Sequence, residues 1–400
     1  MRWPFAAKTQ LAPDLSETGA SPSTRFAFKL FRQLRRGRGT PNLFFSPASV
    51  MFCLRLLQDG ATGKTQAAMA KVLEVAGLEP EALQSTTAAL RSALQVGRSG
   101  LQVEAANSIW CNQGWEPSSE YTAKVKNYDA EVIVLDFHDP GTVARINSWV
   151  SGKTHGKIDS ILNSLDPLAF LLVINAVYFK DLWDRPFNRQ LTREESFQMS
   201  DGRKVKLPLM SQYDSYSYYE EPTFQAVRVG YKTPRLAMYI FLPTNRSSLQ
   251  QFEQNLSSAA WDKWTGSFET AEGHLRLPRF KLTHGATLNT ALDKLGMGIA
   301  FDSRRARFDA INPTSLPTWV DKVLHRAFVE VNEEGTEAAA VTTVLMASCA
   351  LKPCKPCRTF NMIVDRPFFF AIRDNDTKTI LFMGAVEEPD AKNCFPEREN

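Results

Sequence analysis

The pattern of hydrophobic and polar positions changes most abruptly within residues 331–370. After Glu337 no charged residue occurs until Lys352, and the fourteen residues between them are small, β-branched or apolar. No Pro or Gly interrupts 338–351, so nothing there forbids pairing into a sheet. Every second residue, Thr336, Ala338, Ala340, Thr342, Val344 and Met346, falls on one face that starts small and ends apolar. Four successive β-branched residues, Val341 to Val344, count against a helix, where their rotamers are restricted. An ordinary buried strand stays open on periodicity alone. The flanks point elsewhere: a Glu-Glu-Gly turn precedes the segment, and the lysines and prolines of LKPCKPC follow it as exposed loop. A charge-free strand held outside a sheet invites unwanted pairing, so its presence implies a use.

The remaining chain alternates between helical and strand periods. Phe26, Leu30, Phe31 and Leu34 predict a helix from 23 into the basic cluster at 35–39, a solvated helix end. A strand at 42–45 and a helix through 57 follow, then helices with a polar connector over 66–100. Strands are expected at 103–110 and 131–137, with a helix at 142–152 and a near-continuous apolar run at 168–180 suited to a strand buried on both faces. Short strands fill 197–281, including 236–242 and 273–282, with one helix at about 249–264. A helix at 288–295, a strand ending at 331 and a last strand at 379–385 complete the pattern. The mixture of helices and strands is α+β in class, with a flexible leader at 1–22 and a tail at 390–400; by length alone the rest allows two or three ordinary domains or one large one.

Composition narrows the chemistry. With 44% hydrophobic residues, 26 Phe and 8 Trp, the chain can build a large core. A formal charge of +4 does not call for nucleic acid. Six cysteines, at 53, 111, 349, 354, 357 and 394, are too few and scattered for a disulfide scaffold. The first residues lack a signal-peptide core and no apolar run approaches 18, so a cytoplasmic protein without a membrane partner is expected. The five histidines show no paired metal spacing and no G-x-S-x-G elbow is present, so an enzyme is not expected, nor any cofactor. Cys354 and Cys357 form a C-x-x-C, a redox pair or half a zinc site whose other half is missing; two ordinary loop thiols are the default. Gly63-Lys64-Thr65 echoes a phosphate loop, but Gln58 stands where its first glycine belongs.

Several stretches resemble one family, the serpins. Glu333-Glu334-Gly335-Thr336-Glu337-Ala338-Ala339-Ala340 looks like the serpin hinge, and Met362-Ile363-Val364-Asp365-Arg366-Pro367-Phe368-Phe369-Phe370 like the segment after the serpin reactive-centre loop. The runs NLFFSPAS and DGATGKTQAAM, and Asn175 to Trp183, match in order. Asp181 departs from the family's preferred Gly; if that position needs φ > 0, Asp tolerates it better than most residues. The resemblance covers about 23–389 in order and implies one α+β domain of three β-sheets with eight or nine helices and an exposed reactive-centre loop at about 333–361. It implies a shutter of Ser46, Ser49, Asn175 and His325 beneath the main sheet, and a breach of Trp183, Arg279 and Glu333 at its top. The activity implied is suicide inhibition of a serine protease by loop insertion. Counting from Gly335 as the serpin pattern does puts the reactive bond between Cys349 and Ala350, with a register that could slip toward Met346 or Leu351. Cys349 flanked by Leu345, Met346 and Leu351 points to an elastase-, subtilisin- or chymotrypsin-like target. The helical region that heparin-binding serpins load with Lys and Arg holds only Arg91 and Arg98 after Lys71, which argues against heparin. A monomer is expected. A non-inhibitory carrier or chaperone, an inhibitor of cysteine proteases, and a thiol-based redox or metal protein remain as alternatives. Thr336 is expected to be the first inward-facing residue to insert, so an arginine there should turn inhibitor into substrate.

Overall fold

The computed structural model describes residues 20–36, 41–95, 102–126, 128, 130–313, 318–336 and 358–391. Among these, nine α-helices form: α1 (Pro22–Arg36), α2 (Pro47–Gln58), α3 (Gly63–Val72), α4 (Pro80–Leu94), α5 (Ser119–Lys126), α6 (Thr142–Lys153), α7 (Leu249–Asn255), α8 (Ser258–Thr265) and α9 (Asn289–Leu292). The strands are β1 (Leu43–Phe45), β2 (Gln102–Asn112), β3 (Glu131–Leu135), β4 (Leu171–Leu182), β5 (Arg193–Gln198), β6 (Lys204–Glu221), β7 (Phe224–Gly230), β8 (Leu236–Pro243), β9 (Glu269–Pro278), β10 (Phe280–Thr287), β11 (Lys322–Val331), β12 (Gly335–Thr336), β13 (Thr359–Ile363), β14 (Phe368–Asp374) and β15 (Thr379–Val386).

These strands form two hydrogen-bonded sheets. One runs β10-β11-β12-β4-β2-β3; the other runs β1-β15-β14-β8-β7-β6-β9-β13, with β5 also on β6. The larger network joins two layers because β6, 18 residues long, pairs with β5 near its start and with β7 near its end. That one strand is why the three expected sheets appear as two continuous ladders.

Strand β4 divides the interior. Its odd positions Leu171, Val173, Val177 and Phe179 join the main core, and its even positions Leu172, Ile174, Ala176 and Tyr178 join a second core under α6. A period of two sends alternate side chains to opposite faces, so a strand covered on both sides reads as continuously apolar. The two polar residues among its odd positions are Asn175 and Asp181.

Several predicted boundaries shift, each for a local reason. The apolar run begins pairing at Leu171 rather than 168, because Asp166 accepts hydrogen bonds from Leu168 and Ala169 in a turn and leaves Leu168 exposed. The helix expected at 249–264 is two helices, since Ser248 and Ser257 each cap a separate N-terminus. The strand expected at 273–282 divides at Arg279, whose N–H donates to Pro208 O at the end of the β6–β9 ladder, after which β10 pairs with β11 in the smaller sheet. The 288–295 helix keeps α-geometry only through Leu292; the wider turn that follows needs φ of +112° at Gly296. Asp181 has no positive φ: the described non-glycine residues with one are Glu74, His155 and Lys378. The feared strain at that position is absent.

Aromatic packing ties the larger sheet together. Phe44 stacks on Phe370 and Phe382 at centroid distances of 5.8 and 5.4 Å. Phe44→Ala should lower native stability by about 3–5 kcal/mol, read as a lower urea midpoint with an unchanged slope; a loss under 1 kcal/mol would mean the site collapses around the cavity.

Candidate functional site

The site is a slot at one end of the smaller sheet. Strands β4 and β11 run parallel and pair directly from Leu172↔Lys322 to Tyr178↔Phe328. Beyond that point β12 lies between them, with Gly335 opposite Leu182, Thr336 opposite Asp181, and Thr336 also opposite Val331. The two residues just ahead of Glu337 and the charge-free segment are thus already strand. Gly335 is required by proximity, because a Cβ there would sit 2.2 Å from the Asp181 carbonyl oxygen. Thr336 is fully buried, and its hydroxyl hydrogen-bonds the Tyr231 hydroxyl at 2.7 Å.

A polar clamp holds the turn into the slot. Asn332 organises it: its side-chain oxygen accepts from the N–H groups of Glu334 (3.0 Å) and Gly335 (3.3 Å). Glu333, 2% exposed, receives Arg279 in a forked pair, Nε at 3.0 and 2.9 Å and Nη2 at 2.6 Å, and also the Thr192 hydroxyl. A carboxylate this buried is tolerated because the fork satisfies both oxygens. The Trp183 ring N–H donates to Asn332 O at 2.9 Å, and its backbone N–H to Glu334 O at 2.8 Å. The Trp183 ring also stacks on Tyr231 at 4.7 Å. The structure therefore brings Trp183, Arg279 and Glu333 together at the slot. Arg189, which pairs with Glu334, and Asn332, Thr192 and Tyr231 complete the clamp; none carried a signal in local periodicity.

Below the slot lies a second polar cluster in the apolar core. Ser46 caps α2 and is followed by Pro47 at the first helical position, so its hydroxyl accepts from Ser49 N at 3.1 Å and donates to Leu381 O at 2.6 Å. The Ser46 N–H donates to His325 Nε2 at 3.2 Å. That fixes the tautomer: Nδ1 carries the proton and donates to Asn175 Oδ1 at 2.6 Å. Asn175 Nδ2 donates to Ser49 Oγ and Asn107 Oδ1, each at 2.5 Å. Ser46, Ser49, Asn175 and His325 therefore share one network between α2, β4 and β11, with Asn107 of β2 as an added member. Burial, then the neighbouring His284, pushes His325 down to about 3; burial alone takes His284 to about 4.

Other candidate residues separate from this site. Glu337, Ala338, Ala339 and Ala340, the Cys349–Ala350 bond, and Cys354 and Cys357 lie outside the described residues, as do 1–19 of the leader and 392–400 of the tail. Among the described residues no group of three or more His, Cys, Asp or Glu could hold a metal ion. Cys53 and Cys111 are free and buried, and burial pushes both thiols up to about 12, which leaves them unreactive.

Three comparisons bear on the arrangement. The serpin family model, described as serine protease inhibitor, matches residues 21–389. Leukocyte elastase inhibitor A of Mus musculus is 32% identical over 383 residues, covering 92% of this chain and 99% of its own length, and serpin B6 of Pongo abelii is 34% identical over 384 residues with the same coverage. Among solved structures, the thermophilic serpin tengpin in its native state superposes with a TM-score of 0.83 at 28% identity, covering 92% of this chain and 93% of that one.

The neutral imidazoles make a pH dependence that can be measured. A histidine whose folded pKa is depressed contributes full stability above its ordinary 6.5, and loses it as pH falls toward the folded value, here about 3 for His325. The unfolding free energy from urea titrations should therefore fall between pH 6.5 and 4, by at most about 1.4 kcal/mol per pH unit for each histidine. His325→Asn should flatten that decline while lowering the midpoint at pH 7.5; an unchanged decline would assign the titration to other groups.

Proposed function

The chain belongs to the serpin family, and we propose that it is an inhibitory member that traps a serine protease as a covalent acyl-enzyme. The observation that carries this is β12: Gly335 and Thr336 already lie between β4 and β11, antiparallel to both. Continuing the same register seats Ala338 between Phe179 and Val329, and Ala340 between Val177 and Ala327. Thr342 would then arrive between Asn175 and His325, where its hydroxyl can replace the Asn175 amide as the imidazole's partner. The shutter roles of Ser46, Ser49, Asn175 and His325 rest on that exchange, since a buried polar group needs a partner both before and after the sheet opens. Arg279, Glu333 and Trp183 act as the breach that positions the first residues.

In the proposed cycle the protease serine attacks the Cys349 carbonyl, the Ala350 amine leaves, and an acyl-enzyme forms. The freed loop inserts before water can attack. Fourteen residues from Thr336 to Cys349 reach roughly 45 Å in extended form, enough to carry the protease to the far end of the sheet and distort its oxyanion hole. The apolar surroundings of Cys349, together with relatives described as elastase inhibitors, favour an elastase-, subtilisin- or chymotrypsin-like target. The reduced buried thiols fit a reducing compartment, and a monomer suffices for the mechanism.

Two experiments test this. Incubation with a panel of such proteases should give a band that survives SDS, near the sum of 44.9 kDa and the protease. Thr336→Glu should lose that band yet still be cleaved, because a second carboxylate would be buried beside Asp181; an arginine is the weaker probe, since Asp181 stands opposite to pair with it. Undiminished trapping by Thr336→Glu would break the register. The C-terminal fragment released on trapping should begin at Ala350 by mass spectrometry; a fragment beginning at Thr359 would mean a trypsin-like target and a different bond.

A further inference from the structure

Asp181 is the exception among the polar groups around the slot. It is 2% exposed and shares the inward face of β4 with Asn175, whose amide is fully bonded. Its Oδ1 accepts from Leu182 N at 2.8 Å, but Oδ2 has no hydrogen-bond partner among the described residues. Direct pairing of β4 with β11 ends at Tyr178, so β12 is what covers this end of β4. The burial of Asp181 is therefore conditional. With Gly335 and Thr336 seated the carboxyl is enclosed; lifting them out would uncover this edge of β4 to water.

We infer that Asp181 is a positioning residue for loop entry: its ionised carboxylate opposes seating of Gly335 and Thr336, and its protonation favours seating. The inference rests on the reading of Gly335 and Thr336 as the start of an inserting strand. A buried carboxylate with one oxygen left unpaired is costly, whereas the neutral acid is cheaper to enclose. The titration agrees with the geometry. Burial pushes Asp181 up to about 6 from an ordinary 3.8, outweighing hydrogen bonds from the Thr233 side chain and from the Leu182 and Thr233 N–H groups and the charge of Lys232. The other charged or titratable groups nearby do not reverse this. Tyr231, beside Thr336, is held neutral by burial, β12 itself brings no charge, and the hinge carboxylates Glu333 and Glu334 are paired with Arg279 and Arg189.

The sign follows directly. The seated form binds the proton more tightly, so seating gains as pH falls through about 6 and the gain is complete below the ordinary 3.8. Between pH 7.5 and 5 the seated-to-lifted ratio should rise roughly tenfold. Neither a purely structural carboxylate nor a general acid effect predicts a slope confined to the slot.

Hydrogen–deuterium exchange on the full chain reads this without any protease. The amides of Trp183 and Phe187 donate to the Glu334 and Glu333 carbonyls, so they report on the seated hinge, and the β14–β15 ladder serves as reference. After correction for intrinsic exchange, protection at the slot should rise about tenfold from pH 7.5 to 5 relative to the reference. In Asp181→Asn it should be flat and already high at pH 7.5. If that variant does not fold, Asp181→Gly carries the same test with the carboxylate removed. A flat profile in the unaltered chain, or the full slope retained in either variant, overturns the inference. Absence of any SDS-stable complex with the slope intact would overturn the inhibitory function and leave this device standing.

Discussion

The structure depends on the parting of two strands. β4 and β11 hydrogen-bond to each other for seven residues each and then diverge, and the backbone groups beyond Tyr178 and Phe328 need partners from elsewhere. Two residues of a third strand supply some of them, at Gly335 and Thr336. A sheet closed at one end and wedged at the other is an unfinished ladder, and under the proposed function its completion is the favourable direction. Under the proposed function, the clamp around Glu333 and the polar cluster around His325 are the two places where that completion would be held in check.

The two checks use different chemistry for a physical reason. At the mouth, where solvent is near, the forked Arg279–Glu333 pair can be fully satisfied and directional. In the core between α2 and the sheet, a charge would lack such compensation, so the same task falls to neutral groups: two serines, two asparagines and an imidazole kept uncharged by burial. Neutral hydrogen bonds can be exchanged one for one when strands separate. Asp181 sits between these regimes, a carboxylate in the core's position without the clamp's partner.

Much of the fold was legible in the chain. The apolar run that became β4, the helices α1, α2 and α6, and strands such as β8 and β15 follow from period and capping residues. The serpin motifs nominated Ser46, Asn175, His325, Trp183, Arg279 and Glu333 before any geometry was known. The shifted boundaries lie where hydrophobic spacing runs on but the backbone does not: Ser257 caps a second helix, and at Arg279 the chain passes from one sheet to the other.

What the sequence determined by itself was which face each residue shows and which segment is too free of charge to stay outside a sheet without purpose. What only the tertiary structure decided was who stands across from whom. Glu333 meets Arg279 from 54 residues away, and Thr336 meets Tyr231 from 105. Asp181, which by sequence looked like a backbone accommodation, is instead a buried side chain facing the hinge. Periodicity is a local property of the chain, whereas register across a slot is set by how distant strands close upon each other. That is why Thr336 could be named as an inward residue from its alternation, while the carboxylate opposite it could not.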